Sequence, residues 1–508
     1  MLETRLDYYM QAMPGPTRRA PLGAASTPLW ASTRKQPLSV LFLVSDGMSA
    51  GVIPLADRFS RQVRGRGTHW ASLLKRRDAV RGFLDMSSLN SAVTDSAAAS
   101  SSWGSGSRVC NGAINTLPDG RKLTPITRLA KEKGRATGLV TTATVTHATP
   151  AGFAAVQADR DNEAAIAPEY LDVADVVLGG GRRFFDHTSR PDGYDLVGEY
   201  RGRGYQCIQR RHELSACTPA KRVLALFADG HVPYRIDRAQ QPDLFGEVPT
   251  LEEMARCALR VLDGSQHGFL LQVEGARIDH AAHSNDAAGL LWEQLEFDDA
   301  LGACLEYQRR RPHTLIVVTS DHGNSNPGLN GMGAEYSRSN QCFAKLAAFR
   351  ASHQELARRL GGKAEYSGIQ RASVDIASIS PERASGIVAD ATGITLTRDE
   401  LDCLCAALSK SRRVSPADQQ NNLEGTLGAV LGNHSGIGWT GTTHTSDYTV
   451  LTALGPGAAE FAGLLPNTEV FATLTHLLGI RFVNATSTPD AAVLAAASRE
   501  PSSRPHWV

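Results

Sequence analysis

The sequence predicts an α/β protein: three layers, α/β/α, around a central, mostly parallel sheet, with a largely helical insertion. Two observations carry the sheet. Short, continuously apolar runs (Val40–Val44, Ala136–Val140, Val176–Leu178, Phe269–Val273, Thr314–Val318 and Tyr448–Leu451) recur along the chain. Stretches with apolar residues at three- and four-residue spacing, such as Thr250–Leu262 and Gly289–Arg309, fall between them. Strands without polar alternation, interleaved with helices, belong to a parallel sheet covered on both faces. The insertion follows from a third observation. Between about Gly331 and Gly432 the composition turns to Ala, Arg, Leu, Ser and Glu with no buried-strand run. Helices are expected there over Ala351–Leu360, Ile387–Ala391 and Arg398–Leu408.

The 508 residues suffice for a large core. With 53 basic against 52 acidic residues, charge gives no basis for nucleic-acid-specific or anionic-membrane binding. No apolar run reaches the length of a membrane span. Eight cysteines at irregular spacing, with no Cys-x-x-Cys pair, form no disulfide scaffold or zinc ribbon. Cys207 and Cys217 could close a small loop in an oxidising compartment, and mostly free thiols are expected otherwise.

Residues 1–36 read as a non-structural segment. Arg18-Arg19 followed by Ala20 to Ala25 resembles a degenerate twin-arginine export signal, although Pro21 and Pro28 interrupt its apolar stretch. A periplasmic or secreted location is the corresponding expectation. The expected organisation is a catalytic domain from 37–330 and 436–483, a helical insertion or cap at 331–435, and a C-terminal tail at 484–508.

The chemistry is concentrated where strands end. In open α/β sheets ligands lie beyond the carboxyl ends of the strands. Those ends carry Asp46, Glu274, Asp279, Asp321 and His322, with His444 just before the last strand. Asp279 and His283, four apart, share one helical face and can grip one cation. Asp321-His322 offers one hard and one borderline ligand. In Thr94-Asp95-Ser96-Ala97-Ala98-Ala99, small residues let a bulky tetrahedral group approach Ser96. At a helix start its hydroxyl and the free N–H groups would point at one anion. Each motif alone has an ordinary reading: a Ser N-cap, an acidic first turn, a satisfied loop His. Together they supply the carboxylates, imidazoles and hydroxyl that two neighbouring divalent ions require, a site suited to in-line phosphoryl transfer.

At this point the segments resemble the alkaline phosphatase family, over most of 37–325 and again from about 436 to 482. The resemblance rests on Leu43-Val44-Ser45-Asp46-Gly47-Met48, Val93 to Ala98, Thr146-His147-Ala148-Thr149-Pro150-Ala151 with Arg160, Val273 to Asp279 with His283, Thr319 to His322, and His444-Thr445. It implies a phosphate monoesterase working through a phosphoserine on Ser96 and two zinc ions plus one magnesium, with small-molecule phosphate monoesters as substrates and a homodimer as the assembly. Carried over, Asp279, His283 and His444 bind the first zinc. Asp46, Asp321 and His322 bind the second, and Asp46, Thr149 and Glu274 the third ion. Arg160 clamps phosphate and Asp95 orients Arg160. The chain departs from the well-studied bacterial pattern at His147, where Asp is replaced, and at His280, where Lys is replaced. His147 removes a carboxylate near the third metal and could admit zinc or cobalt. The insertion is expected to influence substrate choice or subunit contact. Two alternatives stay open on the fold alone: a phosphodiesterase of the same superfamily, or a secreted metal-binding protein with a vestigial site. Ser96 followed by three alanines does not match the setting of a sulfatase nucleophile.

Overall fold

The computed structural model describes residues 38–219, 221–361 and 379–488. The first apolar run forms strand Ser39–Ser45 (β1), buried at every position. Its side chains alternate between two hydrophobic cores, Leu41 and Leu43 in one, Val40, Phe42 and Val44 in the other. An apolar layer on each face removes the polar period, which is why the run reads as continuously apolar.

The other strands of the main sheet are Ala79–Asp85 (β2), Ala136–Thr144 (β3), Val176–Gly180 (β4), Tyr205–Ile208 (β5), Arg222–Leu226 (β6), Phe269–Gly275 (β7), Thr314–Thr319 (β8), Thr449–Leu454 (β9) and Gly463–Pro466 (β10). In space they run β10-β2-β9-β8-β1-β7-β3-β4-β6-β5. β9 is antiparallel to β2 and β8, and every other pairing is parallel. The predicted mostly parallel α/β sheet is therefore present. The sequence runs did not reveal β2, β5, β6 and β10. β2 and β10 are partly open to solvent and β5 has four residues, so none presents a long apolar run.

Central position matters for function. β8, β1 and β7 are adjacent and parallel, with Val44 opposite both Glu274 and Thr319. The carboxyl ends of three neighbouring strands thus deliver Asp46, Glu274 and Asp321-His322 to one place.

The expected helices form with small shifts. Leu251–Leu262 starts at a capping box made by Thr250 and Glu253. Ala287–Arg310 starts after Asp286, whose carboxylate accepts from the Gly289 N–H at 2.8 Å. Within the insertion, His353–Arg359, Pro381–Thr392 and Arg398–Ser409 correspond to the expected helices. Leu423–Ser435 was not expected, because Gly425, Gly428 and Gly432 lower its intrinsic propensity. Packing overrides propensity there: a Cβ at Gly428 would lie 2.4 Å from the Asn285 Cβ. Phe343, Leu356, Val388, Leu404 and Leu427 join the same hydrophobic cluster as Leu41 and Leu43.

The eight cysteines are free thiols. The suggested Cys207–Cys217 loop is not formed; both are free thiols. The export-signal reading of 1–36, part of the insertion and most of the C-terminal tail lie outside the described residues. No helix among the described residues is long and apolar enough to cross a membrane.

The helix that begins at Ser96, Ser96–Ser105, packs on Ala148–Ala154 through Gly104 and Gly152. A Cβ at Gly104 would lie 1.9 Å from the Gly152 carbonyl oxygen, so only hydrogen fits. Gly104→Ala is expected to lower unfolding free energy in urea by about 1–3 kcal/mol through overpacking. An unchanged midpoint would contradict this close approach.

Candidate metal centre and nucleophile

Ser96 is the first helical residue and is almost fully buried, at 2% exposure. The ordinary N-cap reading belongs to its neighbour. Asp95 is the cap, accepting from the Ala98 N–H at 2.9 Å through Oδ1. Its other oxygen accepts from the Gly112 N–H at 2.8 Å and from Arg160 Nη1 at 3.1 Å. One carboxylate therefore starts the helix and fixes the guanidinium beside the hydroxyl.

In the sequence His444 lies 122 positions after His322. A two-residue ladder closes the gap. His444-Thr445 pairs antiparallel with Gly323-Asn324, and His444 lies opposite Asn324. The imidazole of His444 consequently stacks on that of His322, with ring centroids 3.6 Å apart.

The first cluster gathers Asp279, His283 and His444. His283 Nδ1 lies 2.7 Å from the Thr442 carbonyl oxygen, and His444 Nδ1 lies 2.9 Å from that of Thr94. A carbonyl oxygen only accepts, so each Nδ1 carries the proton and each neutral Nε2 keeps its lone pair. Those two Nε2 atoms face each other at 3.0 Å. The Asp279 carboxylate adds oxygens 3.3 Å from His283 Nε2 and 3.6 Å from His444 Nε2. Acceptors pressed together in this way are reconciled by a shared cation, with the carbonyls as outer orienting partners. Asn324 Nδ2 donates to Asp279 Oδ1 at 2.7 Å and orients it.

The second cluster gathers Asp46, Asp321 and His322. His322 Nε2 is 3.1 Å from Asp321 Oδ2, 3.7 Å from Asp46 Oδ1 and 3.0 Å from Ser96 Oγ. The hydroxyl thus sits at the rim of this ligand set. Asp321 Oδ1 accepts from the Gly47 N–H at 2.9 Å, which turns its other oxygen inward. Gly47 has φ 64°, and a Cβ there would strike the Asp279 side chain.

The third cluster gathers Asp46, His147 and Glu274. Both oxygens of Asp46 and Oε1 of Glu274 are buried without a hydrogen-bond donor. Burial, then the nearby Asp321, Asp279 and Glu274 charges, drives the Asp46 carboxyl well up. Burial likewise pushes Glu274 up to about 7, although Thr141 donates to its Oε2. Buried carboxylates without donors are costly unless a cation neutralises them, so the donor set fits metal ions at all three positions. Thr149 Oγ1 is buried in the same corner. His147 Nε2 lies 3.2 Å from Arg160 Nη2. Arg can only donate, so this contact occupies the one lone pair of a neutral imidazole. Burial, and then Arg160, lowers the His147 pKa to about 3 and keeps it neutral.

Every residue singled out by sequence is brought into this region. Two neighbours were missed. His231 Nδ1 accepts from the Thr144 N–H at 3.1 Å, and its ring centroid is 4.6 Å from that of His280. Gln354, in the insertion, accepts from Arg277 Nη2 at 2.7 Å while Arg277 Nη1 contacts His280 Nδ1 at 2.6 Å. A lone His after Gly230 and a Gln in an amphipathic helix give no sequence signal.

A doubly covered, mostly parallel sheet with three clusters able to hold cations around a helix-start serine is the arrangement of a metal-dependent hydrolase. A profile of the alkaline phosphatase family matches residues 38–480. Alkaline phosphatase 3 of Bacillus subtilis is 32% identical over 387 residues, covering 74% of this chain and 75% of that one. The Escherichia coli alkaline phosphatase is 29% identical, covering 64% of this chain and 78% of its own. The crystal structure of Thermus thermophilus alkaline phosphatase superposes with a TM-score of 0.82 at 34% identity, covering 91% of this chain and 96% of that one. The chain belongs to the alkaline phosphatase family and is a phosphoric monoester hydrolase.

Because the clusters combine buried carboxylates with few donors, cation removal is expected to destabilise the fold. Chelator treatment should lower Tm, and zinc should restore it. A free ion at 100 times its Kd is worth about 2.7 kcal/mol per site. Identical melting with and without chelator and zinc would contradict the assignment of these clusters as cation sites.

Proposed function

We propose that the protein hydrolyses phosphate monoesters in two displacements, with Ser96 as the nucleophile and a phosphoserine between them. The observation that carries this reading is the Ser96 hydroxyl 3.0 Å from His322 Nε2, between the second ligand cluster and the Asp95-held Arg160. Zinc held by Asp279, His283 and His444, and by Asp46, Asp321 and His322, would supply Lewis-acid stabilisation of the nucleophile and leaving oxygens.

The residues then have distinct tasks. Ser96 Oγ loses its proton and bonds to phosphorus as the bond to the alcohol oxygen breaks, and the alcohol leaves protonated. Water then attacks phosphorus from the vacated side, the Ser96 O–P bond breaks, and Ser96 regains a proton. Two in-line displacements give net retention. Arg160, buried and paired with Asp95, presents its fork to two phosphate oxygens, a geometry Lys does not reproduce. That clamp favours a monoester, which has more free oxygens than a diester. The N–H groups at the start of Ser96–Ser105 add positive potential beneath the phosphate.

For the third position, the oxygens of Asp46, Glu274 and Thr149 suit magnesium. His147 can join it only by releasing Arg160. A homodimer and a periplasmic or secreted location belong to the same proposal and rest on the family resemblance. The division into a catalytic domain and a cap at 331–435 is part of it too.

Ser96→Ala should lose about a thousandfold or more of turnover on phenyl phosphate while keeping its bound zinc, read by kinetics and metal analysis on one preparation. Turnover at the wild-type rate would remove Ser96 as nucleophile.

A further inference from the structure

A cavity of about 390 Å³ lies between Asn285, just after His283, and the insertion helix Leu423–Ser435. Its walls include the carboxamides of Asn285, Asn330, Gln420 and Asn433 and the indole of Trp439. Among the described residues, no ionisable side chain lines it. That composition sets it apart from the phosphate site, which is built from charge.

Asn285 is the informative wall residue. It is 1% exposed, adopts φ 47°, and has no hydrogen-bond partner for either Nδ2 or Oδ1. Leaving both ends of a buried amide unmatched is costly relative to a paired state. A ligand offering a donor and an acceptor would offset that cost. Gln420 and Asn433 each commit their amide nitrogen within the protein, to the Trp439 carbonyl at 3.0 Å and to Glu400 Oε1 at 3.0 Å. Carboxamides that both donate and accept match hydroxyl groups, and an indole face covers the C–H face of a ring.

The cavity shares its supports with the Asp279, His283 and His444 cluster. Asn285 follows His283 by two residues. Gln419, beside Gln420, accepts from Thr442 Oγ1 at 2.8 Å through its carbonyl and from Thr443 Oγ1 at 3.3 Å through its side chain. Thr442 is the residue whose carbonyl orients His283.

We infer that this cavity, roofed by Leu423–Ser435 and walled by Asn285, Gln420, Asn433 and Trp439, binds a neutral polyhydroxylated group such as a glycosyl or cyclitol ring. The inference deepens the monoesterase reading and rests on it. The ring comes either from the alcohol half of the substrate or from a free polyol.

Two variants test it: Ala429→Leu, which fills the cavity from an exposed helical position, and Trp439→Ala. Kinetics are measured with glucose 6-phosphate and phenyl phosphate, and wild type and Ala429→Leu are titrated calorimetrically with myo-inositol. The expected result is a KM for glucose 6-phosphate raised about tenfold in both variants, with the phenyl phosphate constants unchanged. If the KM values do not move but myo-inositol titrates into wild type and not into Ala429→Leu, the cavity takes a free polyol. No change in KM and no titration would overturn the inference. Absence of turnover on either phosphate would instead sink the monoesterase reading, and the calorimetry would still decide the cavity.

Discussion

The structure depends on one electrostatic constraint: acceptor atoms are crowded into a buried site without the donors that would satisfy them. His283 and His444 have their protons drawn to backbone carbonyls on the far side of each ring, so both lone pairs aim at one point. Asp46 presents two oxygens with no donor at all. In a folded protein such crowding is expensive. Divalent cations are the simple resolution, and they bring the chemistry with them.

The scaffold is arranged to meet that constraint rigidly. β8, β1 and β7 deliver ligands from three adjacent strand ends, where register fixes their spacing to within a residue. The short His444–Thr445 ladder attaches the last ligand to the segment that carries His322. Glycines enter where backbone must approach backbone, as at Gly104, which brings the serine helix onto the segment holding Thr149. Asp95 shows how few residues do several tasks. It caps the helix, holds the Gly112 N–H and aims Arg160, so Ser96 and Arg160 are located by one carboxylate.

Much of this was legible in the sequence because buried parallel strands advertise themselves. Continuous apolar runs with acids at their ends located the centre of the sheet and several of the side chains gathered near Ser96, Asp46, Glu274 and Asp321 among them. What escaped had physical reasons. β2 and β10 are partly solvated, so their apolar pattern is broken. Leu423–Ser435 is rich in glycine and is helical because it packs on Asn285. Long-range contacts such as Gln354 with Arg277 leave no trace in local patterns. The resemblance to known phosphatases named the ligand set. Only the tautomers imposed by Thr442 and Thr94 supply a reason for its chemistry in this chain.

Anomalous diffraction from crystals grown with zinc tests the central claim most directly. The account predicts one zinc about 2.0–2.1 Å from the Nε2 atoms of both His283 and His444. It predicts a second bound by His322 Nε2 and Asp321 beside the Ser96 hydroxyl. Zinc bound through Nδ1, or anomalous peaks only elsewhere on the molecule, would contradict it.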